Sequence, residues 1–190
     1  PSSVNTIENS LFKNCNSLEE ATIDVTKTKV EPNAFNDCSL FRHLIISTNS
    51  NTLPDFPSSR YHSVIEITIN PGIKKIGDYI FFQCFSLTKI SLPSSLRVID
   101  EYAFSQCSEL RELEIPSSVE VIGKNAFDGC TSLKSFKIPN IALIDEYTFQ
   151  NCSSVEKIEI PSSVTSIYTT AFCRCSSLLE LIIPSSVTLL

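Results

Sequence analysis

The chain has no methionine, four glycines and two histidines, His43 and His62. These absences exclude a good deal. No glycine-rich segment can cradle a phosphate and no His pair can start a metal site, so an enzyme is not expected. Lys and Arg never cluster and the net charge is −6. Nucleic acid and anionic membrane are therefore excluded as main partners, because phosphate binding needs grouped positive charge. No apolar run approaches the roughly 18 residues of a membrane span, so no membrane insertion is expected within the chain. No secretory signal is visible, and Pro1 begins partway through a repeat. A fragment of a longer chain is the simplest expectation, and on that footing a missing targeting signal says nothing of location. No cofactor or metal is expected.

What is present is repetition. Seven of the eight cysteines form a ladder at Cys15, Cys38, Cys84, Cys107, Cys130, Cys152 and Cys175, spaced 23, 46, 23, 23, 22 and 23, with the missing rung at Tyr61. Three residues before each stands a phenylalanine: Phe12, Phe35, Phe81, Phe104, Phe127, Phe149 and Phe172. Prolines 1, 71, 93, 116, 139, 161 and 184 make a third ladder in the same register. A fixed period in this range is the mark of a solenoid.

Each coil divides into three parts. After the cysteine comes Leu-x-x-apolar-x-apolar, as in Leu110, Leu113 and Ile115, ending with the period-2 alternation of a half-buried strand. Proline then stops the strand and Ser-Ser supplies turn hydrogen bonding. Val119 and Ile122 begin the return path, and "KNAFDGC" suits one helical turn that puts Phe127 and Cys130 on one side. Strands of successive coils are expected parallel, with like residue stacked on like. The expected architecture is a leucine-rich-repeat solenoid of about eight coils, with a parallel β-sheet on its concave side and short turns or helical turns on the other. The coils run 1–24, 25–47, a degenerate 48–70, 71–92, 93–115, 116–138, 139–160, 161–183 and a partial 184–190.

This pattern resembles the BspA-like class of leucine-rich repeat, I-P-x-S-V-x-x-I-G-x-x-A-F-x-x-C-x-S-L-x-x-I-x-I. Residues 115–138 follow it almost throughout, and the resemblance is strong over 71–190, moderate over 1–47 and poor over 48–63. It implies a cell-surface or secreted protein of the kind found in mucosal bacteria and protozoan parasites. There such arrays are tied to adhesion to host cells or extracellular matrix through a protein or glycan ligand. An intracellular scaffold or spacer of the same build is the alternative, supported by a thiol-rich core.

The candidate binding residues lie mainly on the strand layer, where two positions per coil point outward. One column reads Glu20, His43, Glu66, Lys89, Glu112, Ser135, Lys157, Glu180. The other reads Thr22, Ile45, Thr68, Ser91, Glu114, Lys137, Glu159, Ile182. Glu66–Lys89–Glu112 and Glu114–Lys137–Glu159 alternate in sign, which suits both a solvated face without like-charge stacking and a mixed-charge binding surface. A further exposed column, Tyr79, Tyr102, Asn125, Tyr147 and Thr170, precedes the Ala-Phe pair. It either covers the coil edge or offers contact area. In the degenerate coil, Arg60, Tyr61 and His62 form a candidate contact cluster, while Leu53 and Phe56 can plug the core.

The ladder cysteines are read as free buried thiols, with side chains pointing in parallel and not at one another. Cys173 is off the ladder and is read as a surface thiol. Asn151-Cys152-Ser153 matches a glycosylation sequon by accident, since Cys152 is a core rung. The chain stops at Val187, Leu189 and Leu190 without a polar cap, so end-to-end self-association through uncapped ends is expected.

Overall fold

The computed structural model describes residues 4–31, 33–53 and 63–189. It is a parallel-strand solenoid in which most coils contribute a front strand and a two-residue back strand. On the front, β2 (Glu20–Asp24), β4 (His43–Ser47), β6 (Glu66–Ile69), β8 (Lys89–Ser91) and β10 (Glu112–Leu113) form one parallel sheet in that spatial order. β13 (Lys157–Glu159) and β15 (Glu180–Ile182) pair separately. The register is in step: Leu44 pairs with Ile67 and Ile67 with Ile90. Along β6, β8 and β13 buried residues alternate with more exposed ones, so the apolar set faces inward as the period of two requires.

The return path carries a second ladder that the spacing did not reveal. β5 (Thr52–Leu53), β7 (Lys75–Ile76), β9 (Val98–Ile99) and β11 (Val121–Ile122) make a parallel back sheet. β1 (Thr6–Ile7) pairs with β3 (Lys29–Val30), and β12 (Leu143–Ile144) with β14 (Ser166–Ile167). The degenerate coil keeps its place in the stack. β4 pairs directly with β6 across it, and Leu53, buried, pairs with Ile76. Phe56, Arg60, Tyr61 and His62 lie outside the described residues.

The expected helical turn is absent among the described residues. The Ala-Phe segments are consecutive tight turns, each with residues in the left-handed region: Tyr79 and Gln83, Tyr102 and Gln106, Asn125 and Gly129, Tyr147 and Asn151, Thr170 and Arg174. The reason is hydrogen bonding between coils. A helical turn would spend its N–H groups on its own carbonyls. Here alternate N–H groups reach the next coil: Tyr79 to the Glu101 carbonyl, Phe81 to Ala103 and Gln83 to Ser105, at 3.1, 2.8 and 2.9 Å. The same three-bond pattern recurs from Tyr102, Phe104 and Gln106. It forms a third ladder without strand geometry.

Inside, the phenylalanine rings stack face on face. Phe81–Phe104, Phe104–Phe127, Phe127–Phe149 and Phe149–Phe172 have centroids 5.2, 5.3, 5.5 and 5.7 Å apart. The cysteines sit against this ladder with a role beyond apolar filling. Five of the ladder thiols donate to the phenylalanine carbonyl of the preceding coil: Cys38 to Phe12, Cys107 to Phe81, Cys130 to Phe104, Cys152 to Phe127 and Cys175 to Phe149, at 3.0–3.4 Å. Those carbonyls already accept a backbone N–H from the cysteine of their own coil. The thiol therefore satisfies the second lone pair, which a methyl group cannot do. All eight cysteines are free. The second serine of Pro-Ser-Ser is likewise an inter-coil link: Ser95, Ser118, Ser163 and Ser186 donate to the carbonyls of Ile73, Leu96, Ile141 and Val164.

Gly123 is fixed by close approach. A Cβ there would lie 2.7 Å from the Glu101 nitrogen and 2.8 Å from the Asp100 carbonyl carbon, both backbone atoms of the preceding coil. At the equivalent Gly77 the nearest atom is Ile80 Cγ1 at 3.8 Å. Gly123→Ala should therefore destabilise the chain by about 1–3 kcal/mol, whereas Gly77→Ala should stay within about 1 kcal/mol of the parent. Urea denaturation of the two variants side by side checks this.

The thiols give a pH prediction. Burial pushes Cys107, Cys130 and Cys152 well above the ordinary thiol value of 9.0. The folded chain thus holds protons that the unfolded chain releases, so this stabilisation is complete below pH 9.0 and declines as pH rises through the folded values. The slope should approach about 1.4 kcal/mol per pH unit for each such thiol. Denaturation under reducing conditions between about pH 9 and 11 should show the decline, with a shallower slope in Cys130→Ala.

Candidate ligand-binding face

The front sheet presents the first outward column as the spacing implied, since Glu20, His43, Glu66, Lys89 and Glu112 lie in register on β2, β4, β6, β8 and β10. Lys89 Nζ is 3.5 Å from Glu112. His43 bridges its neighbours: Nδ1 is 2.9 Å from the Glu20 carboxylate, and Nε2 is 2.9 Å from Thr68 Oγ1. Neutral imidazole meets both demands if Nδ1–H donates and Nε2 accepts the threonine hydroxyl. Because His43 turns to Glu20 and Lys89 to Glu112, Glu66 forms no ion pair among the described residues. Further along, Lys157 lies 3.0 Å from Glu159 and 3.3 Å from Glu180. These pairs are exposed, so they arrange the surface more than they stabilise it.

The second charged run does not form. Among the described residues Glu114 and Lys137 make no ion pair with each other, and Lys137 makes none with Glu159. The cause is local. The front sheet is interrupted at 134–138, which has no strand and no backbone hydrogen bond to either neighbouring coil. The back sheet is interrupted one step later, between β11 and β12.

Both interruptions flank one missing residue. Where the coils at Pro116, Pro161 and Pro184 read Pro-Ser-Ser-Val, this one reads Pro139-Asn140-Ile141, and the turn closes with Ile141 N–H donating to the Pro139 carbonyl at 2.8 Å. That deletion produces the 22-residue step from Cys130 to Cys152. It also removes the serine that would bond back to the preceding coil. Phe136, in place of the usual Ile or Leu, turns inward and stacks on Phe149 at 4.5 Å.

Beside this interruption lies an open groove of about 740 Å³ across β8 and β10, lined by Lys89, Ser91, Arg111, Glu112, Glu114 and Ser135 among others. Arg111 is held by Glu109 at 2.8 Å. Glu114 and Ser135 carry no side-chain hydrogen bond or ion pair among the described residues, so their polar atoms are open to a ligand. The groove mixes both signs of charge with hydroxyls, over a floor that includes Ile90 and Leu113. Such a surface offers orientation and hydrogen bonding.

The other columns are resolved as follows. Tyr79 and Tyr102 stack at 4.7 Å and 5°. Lys124 Nζ lies 5.5 Å over the Tyr147 ring and pairs with Glu146. Asn125, expected to be exposed, is buried. Cys173 is exposed, and Cys152 is fully buried inside the sequon, while the Asn151 amide donates to Asp128. The thiol–carbonyl bonds had no sequence signal beyond the fixed offset of three between Phe and Cys.

A sequence profile of the BspA-type leucine-rich repeat region matches residues 1–111 and 98–190, in six copies. The chain belongs to this family. No curated protein sequence matches it. Among solved structures, a leucine-rich repeat protein of Bacteroides ovatus is similar at 25% identity and TM-score 0.62, covering 96% of this chain and 42% of that one. The T. pallidum leucine-rich repeat protein is 22% identical, with TM-score 0.57 and coverage of 91% and 71%. A leucine-rich repeat protein of Eubacterium ventriosum is 20% identical, with TM-score 0.60 and coverage of 90% and 56%. The chain thus spans about half the length of two of these three.

The interrupted segment carries a direct prediction. The amides of Lys134, Ser135, Phe136 and Lys137 should exchange with solvent at least tenfold faster than those of Ile67 and Ile90, which stand in an intact ladder. Inserting Ser between Asn140 and Ile141 restores the 23-residue step and should slow them. Hydrogen exchange resolved by residue reads both outcomes.

Proposed function

We propose that this chain is the ligand-binding portion of a cell-surface repeat protein, with the front strand face contacting a protein or glycan ligand in adhesion to host cells or extracellular matrix. The observation that carries this reading is the groove on β8 and β10, where Glu114 and Ser135 have uncommitted polar atoms beside the gap in the sheet. Family membership supports it, since leucine-rich repeat arrays in general bind protein ligands. The acidic balance and the absence of a basic cluster fit a ligand other than nucleic acid. Candidate contacts are Glu20, His43, Glu66, Lys89, Glu112, Glu114, Lys137, Lys157, Glu159 and Glu180, with Arg60, Tyr61 and His62 from the degenerate coil. A second reading, an intracellular scaffold, is favoured by one observation: eight free thiols, five of them buried, sit comfortably in a reducing compartment.

Antibody staining of intact and permeabilised cells separates the two readings. Signal on intact cells supports the surface reading, and signal only after permeabilisation sinks it. For the face itself, the purified chain should bind a component of an immobilised panel of matrix proteins. The double variant Lys89→Glu, Lys137→Glu should lower that affinity about tenfold or more while its thermal melt is unchanged. Unchanged affinity in a folded double variant refutes the strand-face assignment.

A further inference from the structure

The turn ridge carries a feature that the strand-face reading does not use, and the chain itself holds a worked copy of it. In the coil at 139–160 the dipeptide Glu146-Tyr147 captures a cation supplied by the coil before. Lys124 Nζ lies 5.5 Å over the Tyr147 ring and pairs with the Glu146 carboxylate. The negative face of the ring and the carboxylate both attract the ammonium. The Lys124 pKa is accordingly raised above its ordinary value, chiefly by the hydrogen bond to Glu146.

The same acid-tyrosine dipeptide occurs twice more, as Asp78-Tyr79 and Glu101-Tyr102. Tyr79, Tyr102 and Tyr147 share one backbone conformation, with φ of 58°, 55° and 58°. No lysine precedes the first two: the residue corresponding to Lys124 is Asp78 ahead of Tyr102 and, in sequence, Asp55 ahead of Tyr79. Tyr79 stacks on Tyr102 at 4.7 Å and 5°, and Phe82 meets it edge-on at 5.5 Å. Those two contacts fix the ring, yet Tyr79 remains 53% exposed. Asp78 Oδ1 accepts the Glu101 N–H at 3.1 Å, which holds that carboxylate beside the rings. Asp78 and Glu101 are exposed, and neither carboxylate has an ion pair among the described residues. The neighbouring cations are committed elsewhere, Lys75 to Asp100 and Lys124 to Glu146.

We propose that Tyr79, with Asp78 and Glu101 beside it, is a docking point for a lysine or arginine side chain of a partner protein, seated on the exposed side of the Tyr79 ring as Lys124 is seated on Tyr147. Charge selects this guest. Two unpaired carboxylates repel an anion, and a neutral side chain leaves them unused. A metal ion does not suit the place, since no group of three His, Cys, Asp or Glu able to hold one occurs among the described residues. An organic cation uses ring and carboxylates together. At Tyr147 the chain supplies that cation, and at Tyr79 a second molecule does. This contact belongs to the turn ridge, is independent of the strand-face groove, and stands or falls without it.

The test is a titration of the isotope-labelled chain with the peptide acetyl-Gly-Ser-Lys-Ser-Gly-amide, followed by amide chemical shifts. The comparison peptide carries Nε-acetyl-lysine, which keeps the stem and loses the charge. Shifts should fall near residues 78–82 and 101–102 with the lysine peptide, and the acetylated peptide should bind at least about threefold more weakly. Tyr79→Asn suits the left-handed backbone, and Asp78→Asn keeps an acceptor for the Glu101 N–H, so both variants should fold. Each should weaken binding about threefold or more. Tyr79→Phe keeps the ring and should retain binding, as should Tyr168→Ser, which removes an exposed ring outside the column. Lys124→Ala vacates the copy at Glu146-Tyr147, so the lysine peptide should then produce a second set of shifts at 145–148. The proposal is wrong if the shifts spread over the acidic front face without favouring Tyr79, or if the acetylated peptide binds as well. It is equally wrong if Lys124→Ala gains no response at Tyr147.

Discussion

Backbone hydrogen bonding between adjacent coils is the constraint on which everything else in this chain depends. Three ladders join successive coils where the repeat is intact: the front strands, the two-residue back strands and the N–H groups of the Ala-Phe turns. None can form within a single coil, and each fixes the coil spacing at which the other two must work. The phenylalanine stack, at 5.2–5.7 Å between Phe81 and Phe172, is then as much a consequence as a cause. The rings lie nearly parallel because the ladders hold equivalent residues in step. The cysteine thiol completes the arrangement by using the spare lone pair of a carbonyl that the ladders have already placed.

Those constraints were legible in unequal measure. The Phe, Cys and Pro ladders announce the period directly, because a buried position in a stacked coil admits few residue types. The front strands were legible from Leu110, Leu113 and Ile115, whose alternation matches the pleat. The back strands were not. A pair such as Val121–Ile122 is too short to show a period, and only Ile122 of the two is buried. The turn conformation was misread for a related reason. Tyr79 and Tyr102 are poor residues for the left-handed region, so nothing in local preference announces it. The first outward column followed from register alone. The second did not, because the segment 134–138 that carries Lys137 leaves the front sheet.

That deletion shows how narrow the tolerance of the stack is. The coil it shortens still aligns its Phe, Cys and core leucine or valine, with Phe149, Cys152 and Val155 all fully buried. The misfit is therefore passed to the parts that can absorb it. The front segment 134–138 leaves the ladder, the back sheet stops between β11 and β12, and Phe136 fills inward space by stacking on Phe149. The strain ends up on the face where backbone groups can be solvated, which costs less than leaving them unpaired in the core. The groove across β8 and β10 borders this same segment, so the surface feature and the core economy have one origin.

In a stacked repeat, equivalent positions share a backbone environment, and a departure from the locally cheapest residue is easier to interpret than in an irregular fold. At the left-handed turn position the chain itself shows, with Asn125, that an inexpensive residue fits. A bulky side chain in that conformation is unfavourable by roughly 1–2 kcal/mol, and stacking of two rings returns about 0.5–1.5 kcal/mol. For Tyr79 and Tyr102 those magnitudes nearly cancel, so their pairing alone accounts for them. Tyr147 has no tyrosine beside it, since its column neighbours are Asn125 and Thr170, and its ring contact is the Lys124 ammonium. An exposed cation–π contact contributes only about 0.5–1 kcal/mol, at or below the conformational cost. Packing therefore explains the first two tyrosines better than the third.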